Sequence, residues 1–130
     1  MKLTHLDHAT LIVTDAAQAR EFYGTGLGLR EIAPPKEFDF PAIWYDLGGQ
    51  YLHLLVKPEP DTPSPRHICF CTPDAAEARE HFRKLGISTS ETVKIAAADR
   101  FFVTDPDGNR VELLQWQRPY HPESDGRVSG

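Results

Sequence analysis

Four residues of this 130-residue chain combine a metal- or proton-handling side chain with strand-like surroundings: His8 in HATLIV, His53 in YLHLLV, His67 in HICFC and Glu112 in RVELLQW. Taken singly, a histidine on a strand is most often a hydrogen-bonded core or rim residue, and a glutamate a surface one. Taken together they suggest more. Imidazole and carboxylate bind first-row divalent ions, and a His/His/Glu set with open positions leaves room for substrate or water. Strand parity sorts their neighbours. His8 shares a face with Thr10 and Ile12, and His53 with Tyr51 and Leu55. His67 lines up with Cys69 and Cys71, and Glu112 with Arg110 and Leu114.

These four are related by an internal repeat, which constrains a fold more than local propensity does. An offset of 59 lays HATLIVTDAAQARE (8–21) over HICFCTPDAAEARE (67–80), with seven of fourteen positions identical. The same offset lays DLGGQYLHLL (46–55) over DPDGNRVELL (105–114), matching Asp46, Gly49, Leu54 and Leu55 to Asp105, Gly108, Leu113 and Leu114. His8 therefore maps to His67 and His53 to Glu112. A pseudo-twofold axis would make them two equivalent pairs and bring three imidazoles and a carboxylate to one pocket.

Each half reads as β-α-β-β-β. An apolar run (8–13 and 67–72) is followed by a helix with Asp15 or Asp74 at its N-cap and Gln18 or Glu77 three residues on, the capping-box spacing. Gly24 or Gly26, and Gly86, supply the helix stops. Shorter apolar stretches follow: LREIA, AIWYDL and YLHLLV in the first half, then ISTSETVKI, RFFVTD and RVELLQW in the second. DLGGQ and DPDGN have the glycine-bearing chemistry of hairpin turns. The expected organisation is two modules, about 1–57 and 66–117, a proline-rich linker 58–65, and a polar tail 118–130 that is either mobile or packed late.

Composition narrows the partners. A net charge of −5, with 14 Lys and Arg scattered along the chain, gives no footprint for nucleic acid or an anionic membrane. No apolar run is long enough to span a bilayer, and the first residues lack an export signal. The expectation is a cytoplasmic protein with a small-molecule partner. The two cysteines, Cys69 and Cys71, have a poor disulfide spacing on a strand, so they are expected as reduced, buried small hydrophobes. Arg100 and Arg110 could orient a substrate carboxylate, although surface solvation is the more ordinary role for each.

From LDHATLIVTD through the duplication to FFVTDPDGNRVELLQ, the chain resembles the vicinal oxygen chelate superfamily of glyoxalases, bleomycin-resistance proteins and extradiol dioxygenases. The resemblance implies an α+β fold in which two tandem βαβββ modules form a cupped, incompletely closed eight-stranded sheet. It also implies one divalent metal per site (Fe, Ni, Co, Mn or Zn) held by the first and last strands of the modules. The positions that match are His8, His53, His67 and Glu112. His8, His67 and Glu112 stand where metal-dependent members place His, His and Glu. His53 occupies a position that is Glu in glyoxalase I, Gln in methylmalonyl-CoA epimerase and not a ligand in fosfomycin-resistance transferases.

In such proteins the metal chelates two vicinal oxygens and stabilises developing negative charge. The resemblance thus implies lyase or isomerase chemistry, or extradiol-dioxygenase chemistry, with Glu112 and His53 as catalytic residues and Tyr51, Trp44, Phe102 and Arg110 contacting substrate. It further implies a homodimer, with each site either shared between subunits, His8 and His53 of one meeting His67 and Glu112 of the other, or built from both modules of one chain. The alternative is metal-free drug binding of the bleomycin-resistance type, in a groove lined by Trp44, Tyr45, Phe38, Phe40, Phe101, Phe102 and Trp116.

Overall fold

Asp15 and Asp74 cap helices as their spacing predicts. Their side chains accept from the backbone N–H of Gln18 and Glu77 at 2.9 and 3.0 Å, contacts worth about 1 kcal/mol each. The computed structural model of the chain describes residues 1–128. In order, its elements are β1 (His8–Val13), α1 (Ala16–Ala19) running into a π-helical stretch (Arg20–Gly26), β2 (Arg30–Ile32), β3 (Ala42–Asp46), β4 (Tyr51–Val56), β5 (His67–Cys71), α2 (Ala75–Lys84), β6 (Ala98–Thr104), β7 (Arg110–Trp116) and α3 (Pro122–Asp125). No helix among them is long and apolar enough to cross a membrane.

The strands form an α+β arrangement of two mixed sheets, ordered β1-β4-β3-β2 and β5-β7-β6. In each sheet the first and last strands of one repeat run parallel, which the intervening helix makes possible as a crossover. Their registers match: His8 faces Tyr51, and His67 faces Arg110. Two compact units result. One spans Met1–Pro65 together with Asp105–Asn109, and the other runs from Arg66 to Thr104 and again from Arg110 onward.

One face of each sheet is its unit's core. Val13, Ile43, Tyr45, Leu52 and Leu54 are buried with Ala19, Phe22 and Tyr23 in the first, and Phe101, Val103, Val111 and Leu113 with Ala75 and Phe82 in the second. A phenylalanine buried like Phe82 contributes about 2 kcal/mol from lost apolar surface. With a side-chain period of two, the opposite faces carry Ala42, Trp44, Tyr51 and His53 in one unit, and Arg100, Phe102, Arg110 and Glu112 in the other.

Several expectations need correcting. The eighth strand is reduced to isolated bridges of Ser90 with Phe102 and of Ile95 with Ala98, leaving four strands and three. Ser and Thr in ISTSETVKI compete for their own backbone, and the Glu91 side chain is drawn to Arg79 at 2.9 and 3.1 Å. The first helix runs through Gly24 and ends at Gly26: its wide turns close with Leu27 N–H donating to Phe22 at 2.9 Å, and the chain reverses at Gly28, φ +73°. In the tail, α3 is closed by a two-pronged Arg118–Asp125 ion pair at 2.6 and 2.7 Å, while residues 129 and 130 lie outside the described residues.

The hairpin turns also differ. Leu47 N–H donates to Gln50 across two glycines at φ +84° and +115°, a two-residue turn. Asp105 pairs with Asn109 around a longer turn in which Gly108 N–H donates to Asp105 and has φ +91°. The extra residue shifts the repeat by one, so Asp46 is equivalent to Thr104 and not to Asp105. Asp105 instead gathers a network. It accepts from the N–H of Asp107 and Asn109 and from Tyr23 Oη at 2.7 Å. Asp107 accepts from the backbone and hydroxyl of Thr14, and Asn109 Nδ2 donates to the Ile12 carbonyl at 2.8 Å. Burial and the Asp105 carboxylate hold the Tyr23 phenol far above its ordinary range, so it remains a donor.

Candidate metal centre

In the first unit, β4 places His53 between two rings. Trp44, opposite it on β3, stacks at 3.6 Å with 9° between planes, and His8, on β1, stacks from the other side at 4.0 Å and 24°. Tyr51 lies at 6.4 Å. His53 is 7% exposed, and its Nε2 has no hydrogen-bond partner. Burial, aided by the charge of His8, lowers its pKa from the ordinary 6.5, which keeps the imidazole neutral. Asp7 Oδ2 lies 2.9 Å from His8 Nδ1, so His8 presents Nε2 as its lone-pair atom when Nδ1 donates.

In the second unit the equivalent positions form an ionic cluster. His67 Nε2 lies 3.0 Å from Glu112 Oε1, and Arg100 donates to Glu112 Oε2 at 3.2 Å and to the Val93 carbonyl at 2.8 Å. Glu112 is 5% exposed. Phe102, opposite Glu112, meets His67 edge-on at 4.9 Å, and the Arg110 guanidinium lies over the Phe102 ring at 4.1 Å.

The sequence-derived candidates thus come together as two pairs, His8 with His53 and His67 with Glu112, each flanked by its expected substrate-contacting residues. Among the described residues no group of three or more His, Cys, Asp or Glu gathers in a way that could hold a metal ion. The donors nevertheless fit a divalent cation in two respects. First, His67 and Glu112 bring together an imidazole nitrogen and a carboxylate oxygen, donor types suited to divalent ions, which meet in a 3.0 Å hydrogen bond. Second, the buried Nε2 of His53 lacks a partner, which a buried polar atom without a further role rarely does.

Other expectations change. Arg100 is not a solvated surface residue: its side chain is 20% exposed and holds Glu112. Cys69 and Cys71 are free and exposed, because Ile68 and Phe70 take the inner face of β5. Although Cys69 as a residue is exposed, local burial of its thiol and the nearby Glu112 push its pKa up to about 12, which keeps it protonated. Tyr45 and Phe101 belong to the cores, not to a groove, whereas Phe38 and Phe40 are exposed and stack on each other at 4.6 Å, with Phe38 edge-on to Trp44. Sequence reasoning did not attach Arg100 to Glu112. The available signal was its parity with Phe102 on the strand before the DPDGN turn.

Residues 5–113 match the family model described as Glyoxalase/Bleomycin resistance protein/Dioxygenase superfamily. Glyoxylase I 4 of Arabidopsis thaliana is 26% identical over 124 residues, covering 87% of this chain and 71% of that protein. Lactoylglutathione lyase of Pseudomonas aeruginosa is 39% identical over 49 residues, 38% of this chain and 28% of that protein. The crystal structure of a glyoxalase family protein from Bacillus anthracis is similar with a TM-score of 0.82 at 27% identity, covering 89% of this chain and 98% of that one.

Proposed function

The chain belongs to the Glyoxalase/Bleomycin resistance protein/Dioxygenase superfamily, and we propose that it is a divalent-metal-dependent enzyme acting on a small oxygen-rich molecule by glyoxalase-like lyase or isomerase chemistry. The observation that carries this reading is the pairing of imidazole and carboxylate donors at repeat-equivalent places, His8 with His53 and His67 with Glu112. His67 and Glu112 would hold the metal, with His8 and His53 as the further candidate donors. When bound, such a metal supplies Lewis acidity toward two neighbouring substrate oxygens.

The remaining work falls to the chain's own side chains. Where His8, His67 and Glu112 hold the metal and His53 does not, the Nε2 lone pair of neutral His53 is able instead to accept a proton from carbon next to a carbonyl and return it. Trp44, Tyr51 and Phe102 offer apolar walls, and Arg110 a cation for an anionic substrate group. Extradiol-dioxygenase chemistry would use His8, His67 and Glu112 on iron(II). Relatives named for glyoxalase activity favour the lyase or isomerase.

A homodimer is part of the proposal. Two donors gather in each unit, and β1 and β5 each stand at the end of a sheet, where a second copy would find unpaired backbone. Two free thiols are in keeping with a cytoplasmic address.

Elemental analysis of protein purified without added metal, followed by titration with Ni, Co, Mn, Zn and Fe(II), tests the reading. About one divalent ion per chain is expected. A chain that carries and takes up none of them, yet binds a small aromatic ligand unaffected by chelator, would instead be a binding protein of the bleomycin-resistance type.

A further inference from the structure

The duplication provides an internal control for Glu112. Ala42 faces Leu55 in the first sheet and Arg100 faces Leu114 in the second, so Ala42 and Arg100 hold the same place in the two ladders. Where the last strand of the repeat presents His53, the neighbouring strand offers a methyl group. Where it presents Glu112, the neighbouring strand offers a guanidinium.

That guanidinium is held at some cost. Its Nε is buried without an acceptor, an arrangement a surface arginine relieves by turning to water. Its two terminal nitrogens are committed in different directions, one to Glu112 Oε2 and one to the Val93 carbonyl. With Oε2 taken, rotation of the carboxylate is blocked, and Oε1 is the oxygen left to meet His67 Nε2.

We infer that Arg100 is the positioning residue of the site: by binding Glu112 Oε2 and the Val93 carbonyl at once, it fixes Glu112 so that Oε1 and His67 Nε2 face a common point. The inference rests on the reading of His67 and Glu112 as metal donors. In this role Arg100 acts through Glu112, the side chain it holds. A planar fork makes two such bonds in fixed directions, which a single ammonium does not reproduce. Partners of this kind typically govern metal affinity through the ligand they orient.

The test uses the full chain with Arg100→Met and Arg100→Lys, each alone and combined with Glu112→Gln. In metal-free protein, long-range ¹H–¹⁵N NMR reads the His67 ring. Arg100→Met should move the Nε2 resonance because Oε1 is no longer held, and Arg100→Lys should move it less. In a cobalt(II) titration, Arg100→Met should raise Kd roughly ten- to a hundredfold and have no further effect once Glu112 is Gln. A folded Arg100→Met or Arg100→Lys protein with an unchanged His67 resonance overturns the inference. So does an equal loss of cobalt affinity with Glu and with Gln at 112. If the unsubstituted chain takes up no cobalt or other divalent ion, the metal reading fails, and the His67 resonance alone decides whether Arg100 positions Glu112.

Discussion

In the first half of the chain the last strand of the repeat carries His53 between Trp44 at 3.6 Å and His8 at 4.0 Å; in the second, the same place carries Glu112 between His67 and Arg100. The ladders are alike residue for residue: His8 faces Tyr51 as His67 faces Arg110. What differs is how each half manages a buried ionisable group. The first keeps it uncharged by burial, aided by the charge of His8, and the second keeps it among charges. A duplicated scaffold preserves register because the core face demands it. The opposite face is under no such demand, so it can diverge into an aromatic half and an ionic half.

Breaking the ionic half should have the largest effect. Glu112→Gln is expected to weaken cobalt(II) binding by more than about a hundredfold, about 2.7 kcal/mol, measured by titration calorimetry. His53→Ala should match it only if His53 is also a ligand, which would erase the distinction between the halves.

Next in size is the network around Asp105. Tyr23→Phe removes the donor that meets Asp105 at 2.7 Å and should lower stability by about 2 kcal/mol in urea denaturation. The second-half residue equivalent to Tyr23 is Phe82, which has no hydroxyl to donate.

The aromatic half should announce itself through pH. Folding depresses the pKa of His53, so the unfolded chain binds its proton more readily. Stability from this residue is complete above about pH 6.5 and is lost as pH falls through the depressed value, with a slope no steeper than about 1.4 kcal/mol per pH unit. His53→Phe should flatten that part of the profile, measured as denaturation midpoint between pH 4 and 8, roughly the span in which a histidine titrates. The smallest effect compares the caps. Asp74→Ala and Asp15→Ala should each cost about 1 kcal/mol, since the helix that Asp15 caps continues from Ala16 through Gly26 and is about as long as α2.

Much of this was legible in the sequence because it rests on local pattern. The offset of 59 located both parallel strand pairs, and the D-x-x-Q and D-x-x-E spacings located both helix starts. Parity put His53 on one face with Tyr51 and Glu112 with Arg110. The eighth strand was not legible: ISTSETVKI has strand-like apolar spacing, but the capture of Glu91 by Arg79 depends on a helix elsewhere in the unit. Nor was the one-residue slip at DPDGN, because Asp46 and Asp105 are identical letters whose equivalence is decided by turn length.

The sequence by itself determined the repeat, through its offset of 59, and made the family legible as a resemblance carried by LDHATLIVTD and FFVTDPDGNRVELLQ. It also determined the strand parity of the four candidate residues, which needs no tertiary information. Only the tertiary structure decided which of them meet, that Arg100 joins Glu112 while Trp44 joins His53, and which thiols face outward. Those choices turn on side-chain contacts between strands distant in sequence, where burial and neighbouring charge, rather than local propensity, set the outcome.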